Sequence, residues 1–230
     1  MSEVELRIVD DANAATHAAA DELVAAARAG AEIALSGGST PRRAYELAAG
    51  VLGDWGAAGL WFGDDRCVEP GHEHSNYRMV REALLDRISR PPRVHRIRCE
   101  LGPEEAAALY DDELRGITLG LALLGLGADG HTASLFPDAP ELDERERRAV
   151  AAEARMEPFL PRVTMTLPVF EEARYVLFLV TGDDKAEAAR RAFAGPPDPG
   201  TPASLTRSRT GRTAAILDRA AASSLQSGAE

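Results

Sequence analysis

Short apolar runs alternate with longer alanine-rich or amphipathic segments along most of this chain. Residues 4–9 alternate between apolar and polar positions, which predicts a strand. Similar runs predict further strands at 31–35, 60–62, 94–97, 119–124, 148–154, 162–167, 174–180 and 213–217. The segments between them predict helices at 11–29, 42–49, 77–88, 103–114 and 183–193, and a short helix followed by a small-residue tail after the last strand.

The alternation of strands and helices predicts the class of fold. It is typical of a Rossmann-like, doubly wound α/β fold, in which a mostly parallel sheet carries helices on both faces. The chain has 230 residues and shows neither an internal repeat nor a domain boundary, so we expect a single domain over residues 1–230. Residues 194–204 hold four prolines and two glycines and predict a loop.

The acidic composition narrows the range of partners. A net charge of −11 at pH 7 argues against nucleic acid and anionic membrane surfaces. No apolar stretch is long enough to span a bilayer and no signal peptide is visible, so we expect a cytoplasmic protein.

Cys67 and Cys99 lack the spacing of metal ligands. His72 and His74 lack a third ligand nearby, which favours a solvated loop over a metal site.

The apolar run at 119–124 leads into a glycine-rich stretch, Gly-Leu-Gly-Ala-Asp-Gly-His, at 125–131. The run is typical of a strand buried on both faces of a parallel sheet. Ligands of open α/β sheets bind outside the carboxyl ends of the strands, so we expect His131, with Asp129 beside it, to face a binding site. The alternative is a core histidine bonded to a backbone carbonyl, which the adjacent acid and the strand-end position disfavour.

The same stretch satisfies the dinucleotide-binding pattern G-x-G-x-x-G at Gly125, Gly127 and Gly130. Glu153 follows at roughly the 20-residue distance that this pattern expects. The pattern also requires a helix after the third glycine, and two nearby prolines limit any helix here to about a turn and a half. We therefore keep dinucleotide binding as an alternative.

A second glycine-rich turn, Ser-Gly-Gly-Ser-Thr-Pro at 36–41, follows the second predicted strand and opens a helix. Gly37 and Gly38 would let a phosphate approach the backbone closely, and the hydroxyls of Ser39 and Thr40 would add donors at a helix N-terminus. A tight turn with an ordinary helix cap explains the same pattern, so both interpretations stay open. No lysine follows the last glycine as it does in a P-loop.

Two further stretches offer charged groups. Gly-Asp-Asp-Arg at 63–66 ends a short strand, where the carboxylates could orient hydroxyls and Arg66 could pair with an anion. A solvated turn closed by an Asp–Arg pair is the alternative.

Arg162 lies on an alternating strand, and Lys185 lies in the first turn of a predicted helix, where a cation opposes the helix dipole. A nearby anion would relieve that conflict, and a solvated lysine is the alternative.

Several stretches together resemble the 6-phosphogluconolactonase family, to which glucosamine-6-phosphate deaminases are related. They occur in the family's order and cover most of the chain. The matching stretches are 35–41 (Leu-Ser-Gly-Gly-Ser-Thr-Pro), 63–66 (Gly-Asp-Asp-Arg), 75–77 (Ser-Asn-Tyr), 124–137 (Leu-Gly-Leu-Gly-Ala-Asp-Gly-His-Thr-Ala-Ser-Leu-Phe-Pro), 162–166 (Arg-Val-Thr-Met-Thr) and Gly182 with Lys185-Ala186.

The resemblance implies a sugar-phosphate isomerase-like fold and an activity. The activity is hydrolysis of 6-phospho-D-glucono-1,5-lactone to 6-phospho-D-gluconate in the oxidative branch of the pentose phosphate pathway. A small phosphorylated sugar lactone would be the partner, with no metal and no bound cofactor. In the family the histidine of the matched glycine-rich stretch is the proposed base, which implies that role for His131.

The resemblance also implies the remaining site residues. The phosphate would be held by Gly38, Ser39, Thr40, Arg162 and Lys185, with Gly37 in the same turn. Among the substrate-binding residues, the chain has Asp65, with a shorter side chain, where the family has a glutamate.

The mechanism expected from these residues is attack of water on the lactone carbonyl. His131 suits the role of general base, because histidine is the side chain that most often transfers protons in catalysis near neutral pH. Asp129 would orient His131 or balance its charge. The oxyanion would be stabilised by Arg66 or by a backbone N–H, and the sequence leaves both open.

Two alternatives to the lactonase concern other functions. The deaminases that the chain resembles carry a glutamate five residues after the histidine, where this chain has Phe136. The missing carboxylate disfavours a deaminase or isomerase. A sugar-phosphate sensor attached to a DNA-binding module is disfavoured by the acidic charge and by a first strand that begins near residue 4.

Overall fold

The structure is a computed structural model that describes residues 3–225. Within this range the strands are β1 (Val4–Val9), β2 (Glu32–Leu35), β3 (Gly59–Phe62), β4 (Asp64–Arg66), β5 (Arg93–His95), β6 (Leu121–Leu124), β7 (Ala149–Ala152), β8 (Arg162–Met165), β9 (Tyr175–Val180) and β10 (Arg212–Asp218). The α-helices are α1 (Ala12–Arg28), α2 (Ser39–Val51), α3 (Asn76–Ala83), α4 (Pro103–Glu113), α5 (Leu167–Glu172), α6 (Ala186–Phe193) and α7 (Pro202–Leu205). Over residues 3–225, none of these helices has the length and apolar character to cross a bilayer.

Seven strands form a parallel sheet in the order β1-β10-β9-β6-β2-β3-β5. This sheet confirms the predicted mostly parallel α/β fold. The chain runs from β2 to β3 on one side and from β6 to β9 on the other, so the strand order reverses between the neighbours β2 and β6. A reversal of this kind opens a crevice outside the carboxyl ends of the strands, which is where such sheets bind ligands.

The strands β4, β8 and β7 form a separate antiparallel sheet. The sequence predicts strands at 148–154 and 162–167 but does not predict this second sheet or the strand at 64–66. Only the loop 153–161 joins β7 to β8, and a parallel neighbour would need a crossover of a dozen or more residues. The pair is therefore antiparallel, and α4 packs against both of its strands.

Several predicted elements have different bounds in the structure. The predicted helix 77–88 is α3 followed by a 3₁₀ turn at Leu85–Arg87. The predicted helix 183–193 begins as a 3₁₀ turn at Asp183–Lys185 before α6. The predicted loop 194–204 contains the start of α7, which Pro202 opens as its first residue. Residues 219–225 form turns instead of the predicted short helix, and the tail at 226–230 lies outside the described residues.

Helix α1 forms where its capping residues predict. Asp11 accepts a hydrogen bond from the Ala14 N–H at 2.8 Å, which satisfies one of the unpaired donors of the first turn. Gly30 follows the end of the helix with a φ of +68°, a conformation that glycine adopts without strain. The buried face is mostly alanine, with Leu23 and Val24, and packs against α2 and β10.

Two buried tyrosines fix the ends of the adjacent strands β2 and β3. The Tyr45 hydroxyl, on α2, donates to the Ser36 carbonyl oxygen at 2.8 Å and accepts from the Ser36 N–H at 3.0 Å. The Tyr110 hydroxyl, on α4, makes the same pair of bonds with Phe62, at 3.1 and 2.8 Å. Burial raises the pKa of both hydroxyls above the ordinary tyrosine value, so both keep the proton that they donate.

We expect Tyr45→Phe to destabilise the fold by roughly 1–3 kcal/mol, because it leaves the buried N–H and carbonyl of Ser36 without this partner. Urea unfolding of the wild type and the variant measures the difference. Tyr175→Phe, which removes a hydroxyl from a partly exposed ring, is the control and should change stability much less. Equal stability of Tyr45→Phe and the wild type would contradict the assigned role.

Candidate active site

A cavity of about 220 Å³ lies at the carboxyl edge of the parallel sheet, where β2, β3, β6 and β9 end. Its lining includes six of the residues predicted for the site: Gly37, Gly38, Arg66, His131, Arg162 and Lys185. Four others lie outside the lining: Ser39, Thr40, Asp65 and Asp129. The lining also includes Asp64, Asn76 and Met156, which are not among the site residues expected from the sequence, although Asp64 and Asn76 lie in stretches that match the family.

His131 and Asp129 form a close pair at the end of β6. The His131 Nδ1 atom lies 2.6 Å from Asp129 Oδ1, and the His131 backbone N–H donates to the same oxygen at 3.1 Å. A carboxylate at Nδ1 favours the tautomer with the proton on Nδ1 and leaves Nε2 to accept a proton. Partial burial of Asp129 opposes its ionisation, but the hydrogen bond and charge of His131 outweigh it, so the pKa of Asp129 is lowered.

Two glycines make room for this pair. A Cβ atom on Gly127 would overlap the His131 ring and the Asp129 carboxylate, so no other residue fits there without moving the pair. Gly130 has a φ of +100°, and a Cβ atom there would also press on Thr201. The turn is closed by backbone bonds from Gly127 N–H to the His131 carbonyl and from Gly130 N–H to the Gly127 carbonyl, both at 2.9 Å.

The use of these glycines decides between the two interpretations of the G-x-G-x-x-G pattern. In dinucleotide-binding proteins the third glycine opens a helix that receives the pyrophosphate. Here residues 131–139 form no α-helix, and a short bridge joins Thr132 to Leu135 instead. Gly127 makes room for His131 and Asp129, Gly130 supplies a positive φ beside Thr201, and the arrangement gives no support to the dinucleotide alternative.

Only residues 36–38 of the glycine turn after β2 line the cavity. A Cβ atom on Gly37 would overlap the Asn76 side chain, and Gly38 has a φ of +111° at the N-terminus of α2. Ser39 and Thr40 belong to the first turn of α2 and face a neighbouring surface depression. The Thr40 hydroxyl lies 3.0 Å from the hydroxyl of Thr181, which ties this turn to the loop after β9.

The strand β4 places its two adjacent acids, Asp64 and Asp65, on opposite faces. Side chains alternate between the faces of a strand, so Asp64 and Arg66 share the face that lines the cavity, and Asp65 points away. The Asp65 carboxylate accepts hydrogen bonds from the backbone N–H groups of Arg66, Asn76 and Tyr77 at 2.6–3.0 Å and so caps the N-terminus of α3. Burial raises the pKa of Asp65 to about 6, against the lowering by these three donors.

The alternation along β4 is the signal that could have identified Asp64 from the sequence. Its carboxylate is buried, accepts a hydrogen bond from the Ser134 hydroxyl at 2.6 Å and lies 3.3 Å from Asn76 Nδ2. Ser134 follows His131 by three residues. Asp64 therefore connects the small antiparallel sheet to the loop that carries the histidine.

Arg162 is a buried cation with little compensating charge. The residue is only 2% exposed, its Nη1 atom lies 4.0 Å from Asp64 Oδ2, and its Nε and Nη2 atoms have no hydrogen-bond partner within residues 3–225. Its guanidinium lies 5.5 Å from the centre of the Phe136 ring. Leaving a buried charge unpaired costs about 3–5 kcal/mol in other proteins, so this cation favours an anionic ligand in the cavity.

Arg66 strengthens this preference. It stands directly opposite Arg162 in the register of β4 and β8, an arrangement of like charges that destabilises a strand pair. Burial, and then the charge of Arg66, lower the pKa of Arg162. Arg66 Nη1 donates to the His74 carbonyl at 2.9 Å, and its buried Nε atom lacks a partner among the described residues.

Lys185 adds a third cation from the loop after β9. Its ammonium lies 3.0 Å from the exposed Asp184 carboxylate, at the end of the 3₁₀ turn that precedes α6. Lys185 is the only lysine in the 230 residues, against 25 arginines. In a chain that otherwise uses arginine for every cation, a lysine in a cavity is a further signal of a site that requires a compact ammonium group.

A metal site is not apparent in the part of the chain that the structure describes. No group of three or more His, Cys, Asp or Glu side chains there is arranged to hold a metal ion. His72 and His74 lie in the loop before α3, with their rings 5.3 Å apart and the His74 N–H donating to His72 Nδ1. The pair therefore contributes to a local turn.

Comparison with known proteins identifies many similar sequences and folds. Residues 6–215 match the family described as glucosamine-6-phosphate isomerases/6-phosphogluconolactonase. A human 6-phosphogluconolactonase is 41% identical over 215 residues, which cover 86% of this chain and 82% of the human protein. The structure of 6-phosphogluconolactonase from Trypanosoma cruzi superposes with a TM-score of 0.86 at 27% identity and covers 98% of each chain.

A relative with another activity shares the fold alone. A monomeric glucosamine-6-phosphate deaminase superposes with a TM-score of 0.82, over 96% of this chain and 100% of the deaminase, at only 17% identity. The architecture is thus common to lactonases and deaminases, and the choice between them depends on residues of the site.

Proposed function

The chain belongs to the glucosamine-6-phosphate isomerase/6-phosphogluconolactonase family, and on this premise we propose that it hydrolyses 6-phospho-D-glucono-1,5-lactone to 6-phospho-D-gluconate. The observation that supports the proposal is a single cavity lined by His131, whose Nε2 atom is free to accept a proton, and by three cations with few acidic partners. The reaction belongs to the oxidative branch of the pentose phosphate pathway.

We assign the cationic part of the cavity to the phosphate group. Arg162 offers two buried nitrogen atoms, Nε and Nη2, that have no acceptor among residues 3–225, and Lys185 offers a compact ammonium. Gly37 and Gly38 allow close approach to the backbone at the start of α2. We also assign Ser39 and Thr40 to phosphate binding because they form the first turn of α2 next to Gly38. Their side chains lie outside the cavity lining.

We assign the reaction step to His131. A lactone is a cyclic ester with an electrophilic carbonyl, so a positioned base and a water molecule suffice for hydrolysis. His131 Nε2 takes a proton from the water as its oxygen bonds to C1, and returns a proton to the ring oxygen as the C1–O bond breaks. Asp129 holds the ring through Nδ1 and balances the charge of the imidazolium.

The developing oxyanion needs a donor, and we assign this role to Arg66. Its side chain lines the cavity on the same strand face as Asp64, and its guanidinium carries the N–H donors that an oxyanion needs. Asp65 supports the site by capping α3, the helix whose first residue, Asn76, also lines the cavity. A direct contact between Asp65 and the substrate is not needed in this account.

The remaining assignments concern partners and location. The proposed chemistry uses side chains, water and the substrate, and the acidic chain offers little to nucleic acid or an anionic membrane. The cytoplasm, where pathways of sugar phosphates operate, is the proposed location.

One residue favours the lactonase over the deaminase. Phe136 stands where the deaminases that the chain resembles carry a glutamate, and it is buried, with its ring 5.1 Å from the His131 ring. An apolar ring in this place cannot move the second proton that isomerisation of an amino sugar requires. The site therefore supports one-base hydrolysis.

The direct test is hydrolysis of freshly prepared 6-phosphogluconolactone, measured above its spontaneous rate. We expect strong acceleration, much weaker acceleration of the unphosphorylated lactone, and no ammonia from glucosamine 6-phosphate. Release of ammonia without lactone hydrolysis would replace the proposal with a deaminase.

Replacing the base tests the reaction step. His131→Ala should lower kcat by about 10²–10⁴-fold with little change in KM, because the ring acts on water and not on the phosphate. His17→Ala is the control, since His17 lies exposed on α1. A variant at 131 with wild-type turnover would remove the imidazole from the mechanism.

Replacing the single lysine tests phosphate binding. Lys185→Ala should raise KM for the phosphorylated lactone by roughly 10-fold or more, the value of one charge-assisted hydrogen bond, with a smaller effect on kcat. The same variant should leave the slow reaction of the unphosphorylated lactone unchanged, which is the internal control. A change in thermal stability alone, with both KM values as in the wild type, would disprove the assignment.

A further inference from the structure

Arg191, a cation outside the cavity, contacts the backbone of the loop that carries His131. Arg191, on α6, donates from Nη2 to the backbone carbonyl oxygens of Ala128 and Asp129 at 3.4 and 3.2 Å. Its Nη1 donates to the Thr201 hydroxyl at 3.1 Å. The residue lies outside the cavity lining, so we expect it to affect the reaction through the loop.

The segment after α6 supports the same loop. The Ala203 N–H donates to the Gly130 carbonyl oxygen at 3.0 Å. Thr201 is fully buried and lies so close to Gly130 that even a methyl group on that glycine would approach the Thr201 side chain at 2.9 Å. Three consecutive carbonyls, from residues 128–130, are therefore held by groups from the region 191–203.

We propose that Arg191 is a positioning residue for the reaction, which fixes the loop so that the Asp129–His131 hydrogen bond forms and Nε2 faces the cavity. The inference rests on the proposed lactonase function. The backbone atoms at 127–131 are also bonded to one another, but those bonds close the turn and do not fix its orientation relative to the sheet. Arg191 and the segment 201–203 fix the part of the loop at 128–130, while the bond from Ser134 to Asp64 fixes the part after His131.

The neighbouring residue shows that this arrangement is specific. Arg190 has the same side chain on the same helix, but its guanidinium pairs with Glu187 on the helix surface at 2.6 and 3.0 Å. Arg191 instead reaches two carbonyl oxygens that are 62 and 63 residues away in the sequence. Arg190→Ala is therefore a matched control, in which an arginine is lost from α6 without any contact to the loop.

The expected result is a loss of turnover with substrate binding retained. Small displacements of catalytic groups cost up to about 10²-fold in rate, so Arg191→Ala should lower kcat by roughly 10- to 100-fold. KM should stay near the wild-type value, since Arg162 and Lys185 are untouched. Arg191→Lys, which can reach one acceptor, should recover part of kcat, and Arg190→Ala should match the wild type.

A spectroscopic measurement tests the positioning without substrate. The ring ¹⁵N signals of His131, assigned by their loss in His131→Ala, report which nitrogen carries the proton. We expect the Nδ1–H form in the wild type and a mixture of both tautomers in Arg191→Ala. Because this comparison needs no turnover, it tests Arg191 even if the wild type does not hydrolyse the lactone, an outcome that would refute the proposed function alone.

Three results would overturn the inference. They are a kcat in Arg191→Ala equal to that of Arg190→Ala, a rise in KM without a fall in kcat, and unchanged His131 ring signals in Arg191→Ala. If Arg191→Ala does not fold, Thr201→Val replaces it, because it removes the third acceptor of Arg191 and keeps the shape of the side chain. That variant should show a smaller fall in kcat and the same shift in tautomers, and wild-type values for both would contradict the proposal.

Discussion

The site depends on one constraint, which is that neighbouring parallel strands end at the same edge of a sheet. The loops after β2, β6 and β9 carry the glycine turn, the histidine and the lysine, and these strands are adjacent in the order β9-β6-β2. Residues that lie about 50 to 150 positions apart in the sequence thereby line one cavity. Hydrogen bonds from buried tyrosines hold the ends of β2 and β3, so the loops start from fixed points.

Charge supplies the second part of the account. The small antiparallel sheet places Arg66 and Arg162 directly opposite each other, with Asp64 as the acid beside them. Asp65 points away from the cavity, so the charged side chains that line it are one carboxylate, Asp64, and three cations, Arg66, Arg162 and Lys185, in a protein whose total charge is −11. This local excess is what an anionic sugar phosphate would neutralise, and it explains how an acidic protein can bind an acidic substrate.

Much of the fold could be predicted from the sequence because the inner strands of the parallel sheet contain short apolar runs and the edge strand β1 alternates between apolar and polar residues. The second sheet could not, because β4 has only three residues, all charged, and its pairing is decided by contacts with β8 far along the chain. Within the site, the sequence indicates His131, Arg162 and Lys185 through motifs and charge. Which side chains line the cavity required the structure.

Whether a predicted site residue lines the cavity depends on the face of its strand or helix on which its side chain lies. Asp64 and Asp65 have the same side chain, and the alternation of β4, a strand that the sequence does not predict, decides that Asp64 lines the cavity while Asp65 caps α3. Ser39 and Thr40 are turned away by the first turn of α2 in the same manner. Arg191 carries no motif at all, and its contact with the loop at 128–129 exists only after folding.

The central claim is that Arg162 and Lys185 bind the phosphate end of the substrate while His131 acts on its C1 end. A crystal structure with the product, 6-phosphogluconate, tests this most directly. The account predicts the phosphate in hydrogen-bond contact with Arg162 and Lys185 and the C1 carboxylate next to His131 Nε2. A phosphate bound outside this cavity, or a carboxylate directed away from His131, would contradict it.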